Sequence, residues 1–386
     1  MTPLDATTAL LGELIAFPTV SSESNLALIA HLAGRLDEAG ALTEVQLDPT
    51  GRKANLFATI GPETDGGIVL SGHTDVVPVT DQEWSSDPFE MVARDGRLHG
   101  RGACDMKGFI AAAVAMAPRF AAAGLRRPLY FAFTYDEEVG CLGAQALART
   151  LRARGLRPAV AIIGEPTSMR IVEGHKGCYE YSTHFIGREG HASAPDRGVN
   201  AVEYAVRFVG RLLELKAALV ARAPADSRFD PPWTTISTGV LVGGQARNVI
   251  PGRARVDWEI RPVRAGHADF VKDDLHRFCT GTLLPAMRAV APEADIVTET
   301  VGEVDGLIPV EPNAAKALVA ELTGQTGAGL VPFGTEAGIF QALGMSAVVC
   351  GPGSIEQAHR PDEYVTLDQL ARCLAMLDRL CARLAE

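Results

Sequence analysis

The chain has 386 residues, more than one compact core normally holds, so two domains are expected. Hydrophobic residues make up 47% and charged residues 22%, the balance of an ordinary soluble globular enzyme, while a formal net charge of -11 argues against a nucleic-acid or anionic-membrane partner. The seven cysteines show no zinc-knuckle spacing and are odd in number, which fits free thiols in a reducing cytoplasm. In chain order, Leu10, Leu11, Leu14 and Ile15 give a helical stripe that stops at Pro18. Ser21 and Ser22 offer caps for a second helix running through Leu36. Strand-like runs follow at 43–47, 55–60, 68–71, 129–134 and 159–163, with helix-like stretches at 108–123 and 142–154 between them. That alternation predicts an α/β layer fold. The texture changes near residue 175. A strand at 177–186, a helix with Ala205, Phe208, Val209 and Leu212 on one face, strands at 234–242 and 255–261 and a helix from about 268 read as an inserted α+β domain. The expected division is 1–175 with 292–386 for one discontinuous domain and 176–291 for the insert. No basic stretch followed by an apolar one opens the chain, and no uncharged apolar run reaches transmembrane length, so a cytoplasmic protein without a membrane partner is expected.

Several polar residues fall just after predicted strands, where ligand sites of α/β folds gather. His73 and Asp75 lie two apart in Ser-Gly-His-Thr-Asp, so their side chains share a side of the strand end. Asp75 could hold the second ring nitrogen of a metal-bound His73, or the two could form an ordinary turn. Asp105 follows a glycine-rich turn before a helix, as a helix cap or as a carboxylate bridging two cations. Glu137 and Glu138 are adjacent carboxylates that repel each other unless something cationic is near. Glu165 sits before Pro166, and His359 lies in a polar loop after Gly353. Each alone can be a loop residue. As a set they make two metal sites: Asp105 bridges, His73 and Glu165 complete one, Glu138 and His359 complete the other, and Glu137 remains as general base.

Three segments carry a family resemblance: Ser-Gly-His-Thr-Asp-Val-Val-Pro at 71–78, the stretch from Gly100 to Gly108, and Thr134-Tyr135-Asp136-Glu137-Glu138. They resemble the di-zinc amidohydrolases, a family that includes acetylornithine deacetylase, succinyl-diaminopimelate desuccinylase, aminoacylase and glutamate carboxypeptidase. The likeness implies an exopeptidase-like catalytic domain with two zinc ions (cobalt also suits the ligands) and an inserted ferredoxin-like lid that dimerises the protein. It implies the ligand set above, Glu137 as base, Asp75 orienting His73, and a cis peptide at Asp105-Met106. In the lid, His191 matches a histidine that reaches the partner subunit's site and stabilises the oxyanion. Arg261 and Asn248 match positions that hold the substrate's α-carboxylate. The segments from Glu173, Phe333 and Cys350 are most like bacterial acetylornithine deacetylases. The implied reaction is hydrolysis of N2-acetyl-L-ornithine to ornithine and acetate, in arginine biosynthesis. Desuccinylase, aminoacylase and dipeptidase activities are the alternatives. Glu336 is a further expectation, as a partner for the substrate's side-chain ammonium.

Overall fold

The chain divides into two compact units in a computed structural model that describes residues 2–386. The first runs up to Gly174 and resumes over Pro309–Val331 and Thr335–Glu386; the second is His175–Ile308 with Pro332–Gly334.

The first unit is built on an eight-stranded mixed sheet. In spatial order its strands are Leu42–Leu47, Ala54–Ile60, Leu129–Thr134, Ile68–His73, Val160–Pro166, Ser346–Gly351, Val172–His175 and Gly329–Val331. Ile68–His73 runs parallel to both of its neighbours, and Ser346–Gly351 runs parallel to Val160–Pro166. Every residue of Ile68–His73, Leu129–Thr134 and Val160–Pro166 is buried. Strands covered on both faces need continuous apolar runs, which is why these segments do not alternate in sequence. The alanine-rich helix Gly108–Ala122 packs against Pro3–Ile15 and Leu367–Ala385. The last of these starts at Thr366, whose hydroxyl accepts from the Gln369 N–H at 3.2 Å. It buries Leu370, Cys373, Leu374, Leu377, Leu380, Cys381 and Leu384, a helical stripe facing the core. Lys107, fully buried, donates to the carbonyls of Leu14 and Phe17 at 3.0 and 2.7 Å and so closes the end of the first helix.

This sheet sets up the site. Ile68–His73, Leu129–Thr134 and Val160–Pro166 point the same way, so His73, Glu137 and Glu165 all come from their carboxyl ends. Gly164 is a close-approach position: a Cβ there would stand 2.0 Å from the Phe109 ring, so only glycine lets the helix press on the strand just before Glu165.

The second unit has a four-stranded antiparallel sheet in the order Thr235–Gly243, Arg253–Arg261, Cys178–Ile186, Asp295–Val304. With helices Ala201–Ala221 and His267–Phe278 it forms a β-α-β-β-α-β unit, the ferredoxin-like topology. Its core stacks Tyr181 on Trp258 at 4.5 Å, with Phe185, Phe208, Leu212 and Val271 around them. The insert therefore extends past the expected boundary at 291, because Asp295–Val304 pairs with Cys178–Ile186. Half of that strand's residues are exposed, in one unbroken run, so it carries little of the apolar alternation that marks a strand in sequence. Among the described residues no helix is long and apolar enough to cross a membrane.

Candidate active site

Asp105 is the centre of the site. It lies in a distorted turn, Ala103–Lys107, entered through Gly102 at φ +81° and containing a cis Asp105-Met106 peptide. Its side chain is buried, and its two oxygens face different partners. Oδ1 lies 2.9 Å from His73 Nε2, and Oδ2 lies 3.2 Å from His359 Nε2. Glu165 Oε1 is 3.7 Å from the same His73 nitrogen, and Glu138 Oε1 is 3.1 Å from the same His359 nitrogen. Ligand atoms of His73, Asp105 and Glu138 fall within 4.8 Å of one another, as do those of His73, Glu137 and Glu165.

The electrostatics have one theme: too many carboxylates for two imidazoles. Burial, with Glu138, Asp105 and Asp75 adding to it, pushes the Glu137 carboxyl well above the usual range, against the pull of His73. Burial and the Asp105 charge do the same to Glu165. Burial opposes a charged His73, but Glu165, Asp105 and Asp75 outweigh it and hold that ring's pKa well above normal. Hydrogen bonds to Asp105 and Glu138 push His359 up to about 10. Glu165 Oε1 is buried and has no hydrogen-bond partner among the described residues. A buried, unsatisfied carboxylate oxygen beside an imidazole and a shared aspartate fits a divalent cation, and nitrogen with carboxylate oxygen suits zinc or cobalt.

The neighbours explain how the groups are held. The Nδ1–H of His73 donates to the Asp75 carbonyl at 2.9 Å, leaving Nε2 directed at Asp105 and Glu165. The expected contact from the Asp75 carboxylate to that ring is looser, at 3.6 Å. Asp75 instead accepts from the Glu137 and Glu138 N–H groups at 3.0 and 3.3 Å and from the Ser21 hydroxyl at 2.7 Å. It therefore fixes the backbone that carries the two glutamates. Glu363 does the same for Asp105. Its Oε1 accepts from the Cys104 and Asp105 N–H groups at 2.8 and 3.0 Å, and its Oε2 accepts from Arg101 Nη1 at 2.6 Å. Sequence reasoning missed Arg101 and Glu363 as functional residues. Both sit inside segments that carry the resemblance, but a pairing across 262 positions leaves no local signal.

Both side chains of that pair are 1% exposed, which makes a prediction possible. Arg101→Leu strands the Glu363 carboxylate in the interior and is expected to lower stability by about 3–5 kcal/mol. Denaturant unfolding checks it. A loss under about 1 kcal/mol would mean that the two backbone N–H groups alone satisfy Glu363.

Glu336 departs from its expected role. It is fully buried, and its oxygens accept from the Ser71 and Thr134 hydroxyls at 2.6 and 2.7 Å. Each oxygen is thus committed to a hydroxyl of one of the two strands Ile68–His73 and Leu129–Thr134, and with the side chain fully buried neither oxygen faces solvent, from which a substrate ammonium would arrive. His191, Asn248 and Arg261 belong to the second unit. Gly190–His191 pairs with Val249–Ile250, and the Asn248 carbonyl accepts from the Ala192 N–H at 3.0 Å, so His191 and Asn248 share one small ladder. Both are exposed, and the His191 ring meets the Ser193 hydroxyl at 2.7 Å. Arg261 ends the strand Arg253–Arg261, where its guanidinium holds Glu259 through both carboxylate oxygens at 3.1 and 2.9 Å.

Similar proteins agree with this architecture. The chain is 38% identical over 384 residues to an acetylornithine deacetylase of Myxococcus xanthus, covering 98% of this chain and 97% of that protein. It is 36% identical over 359 residues to the acetylornithine deacetylase of Salmonella typhimurium, covering 91% of each. Among solved structures, an M20 family metallo-carboxypeptidase from Sulfolobus solfataricus matches with a TM-score of 0.74 at 16% identity, covering 98% of this chain and 99% of that one. A dinuclear metal-binding peptidase of the M20 family from Bacillus subtilis matches with a TM-score of 0.64 at 17% identity, covering 99% and 98%. At such identities the structural matches speak for the fold. Residues 69–383, which hold all five clustered candidate ligands and the whole inserted sheet, match the family described as Peptidase family M20/M25/M40, and to that family the chain belongs.

Proposed function

We propose that this protein is a metal-dependent amidohydrolase that removes the acetyl group from N2-acetyl-L-ornithine. One observation carries the metal reading: the two oxygens of Asp105 face two separate histidine–glutamate pairs. His73 and Glu165 with one oxygen, and His359 and Glu138 with the other, would hold two divalent cations, zinc or cobalt. When bound, such cations polarise an amide carbonyl and make water a nucleophile at neutral pH. Glu137 is the base that takes the water's proton and passes it to the leaving amine, and its raised affinity for protons suits both transfers. Asp75 holds Glu137 in place through its backbone. From the second unit, we assign Arg261 and Asn248 to the substrate's α-carboxylate and His191 to the developing oxyanion. Glu259 occupies the guanidinium fork that the substrate carboxylate would take.

The choice of acetylornithine rests on the two deacetylase relatives and their nearly full-length cover. We also propose a homodimer through the second unit. Val206, Leu213 and Val220 are exposed at seven-residue intervals on one helix, and Val240, Leu241 and Val242 are exposed on the edge strand Thr235–Gly243. An apolar stripe and an open strand edge are surfaces a partner copy can cover. A substrate panel tests the function. The expected result is the highest kcat/KM on N2-acetyl-L-ornithine, activity lost to a chelator, and recovery with zinc or cobalt. Preference for a dipeptide or for N-succinyl-diaminopimelate would replace acetylornithine in this reading.

A further inference from the structure

The proposed ligands are not held alike. His73 and Glu165 belong to buried strands, and Asp105 is pinned by Glu363. His359 sits on a turn with φ +62° and a side chain 50% exposed. What fixes it comes from a distant segment. Gln82 Nε2 donates to the His359 carbonyl at 2.9 Å. Gln82 Oε1 accepts from Arg101 Nη2 at 2.6 Å and from Trp84 Nε1 at 3.1 Å. Arginine and tryptophan only donate, so the amide has one possible orientation, with its N–H groups toward His359. The Arg101 guanidinium lies 5.0 Å from the centre of the Trp84 ring, which braces it. Nearby, the Ser85 N–H and hydroxyl both donate to Asp362 Oδ1 at 2.9 Å. A single amide side chain thus ties the His359 backbone to the arginine that holds Glu363, and through Glu363 to Asp105.

We propose that Gln82 is a positioning residue for the His359 side of the site: it holds that loop in the geometry that lets His359 and Glu138 bind one of two cations. The proposal rests on the two-cation reading above. Gln82 makes no hydrogen bond to the other four ligands among the described residues, and it reaches the shared Asp105 only through Arg101 and Glu363, so its effect should fall mainly on the His359 cation.

The test is calorimetric titration of the metal-stripped full chain with zinc chloride, for the parent, Gln82→Ala and Gln82→Glu. Partners that only orient a ligand are typically worth about 10–100-fold in metal affinity. The parent is expected to take up two cations. Gln82→Glu should bind one as the parent does and the other about 10–100-fold more weakly, and Gln82→Ala should weaken that same cation most. Gln82→Glu is the informative variant, since it keeps the acceptor for Arg101 and Trp84 and replaces the donor to His359 by a carboxylate oxygen that the His359 carbonyl repels. Parental binding by Gln82→Glu would overturn the proposal, because bracing Arg101 would then be the whole role. Equal weakening of both cations in Gln82→Ala would overturn it too, as a general loosening of the site. A parent that binds fewer than two cations would overturn the two-cation reading and the proposal with it, an outcome distinct from a normal parent with normal variants.

Discussion

Glu137→Gln is expected to keep both cations and lose turnover by about 10²–10⁴-fold, the usual span for a positioned general base. The reasoning starts from size and shape. Glutamine fills the same space, and the Glu137 N–H still reaches Asp75 Oδ1, at 3.0 Å in the parent, because that bond belongs to the backbone. What changes is the ability to carry a proton. In the parent, partial burial and the charges of Glu138, Asp105 and Asp75 raise the carboxyl's proton affinity well above normal, so it can both take a proton and return it. An amide does neither. Metal content by elemental analysis and turnover on N2-acetyl-L-ornithine are the two measurements. Two bound cations with near-parental turnover would remove Glu137 from the role. Loss of a cation would instead make it a ligand, an outcome with some support in geometry, since Glu137 clusters with His73 and Glu165.

Much of the site was legible because the chemistry is local to short segments. His73, Glu137 and Glu165 each follow an apolar run, and a polar residue at the end of a buried strand stands out in sequence. Asp105 follows glycines that a tight turn needs, and Gly102 does take a positive φ. The supporting contacts were not legible, because they join segments hundreds of residues apart. Glu336 reaches Ser71 across 265 positions, and Gln82 reaches His359 across 277. An acidic residue between a threonine and an alanine looks exposed in sequence. Only the fold shows that two hydroxyls meet Glu336 inside the protein and compensate its burial. The insert's first edge near 175 was visible as a change of pattern. Its second was not, because Asp295–Val304 is a sheet-edge strand with half of its residues exposed in one unbroken run.

Asp105→Asn should strike the metal centre harder than any change around it. Each Asp105 oxygen serves a different histidine, at 2.9 and 3.2 Å. Asparagine offers one oxygen and one NH₂, and the NH₂ is a donor with no lone pair for a cation. Whichever way the amide turns, one pair of ligands loses its shared partner and faces a donor instead. The backbone N–H groups held by Glu363 are untouched, so the turn itself should survive. Outer partners are worth about 10–100-fold in affinity, so loss of half a shared ligand should exceed about 100-fold at one of the two positions. Stability offers a readout independent of turnover. A cation that binds only the folded chain raises its melting temperature by mass action. The parent should therefore gain more on zinc addition than Asp105→Asn, which binds at most one cation tightly. Calorimetry on stripped protein counts them, and a variant that still takes up two cations with parental affinity would mean that Asp105 does not bridge.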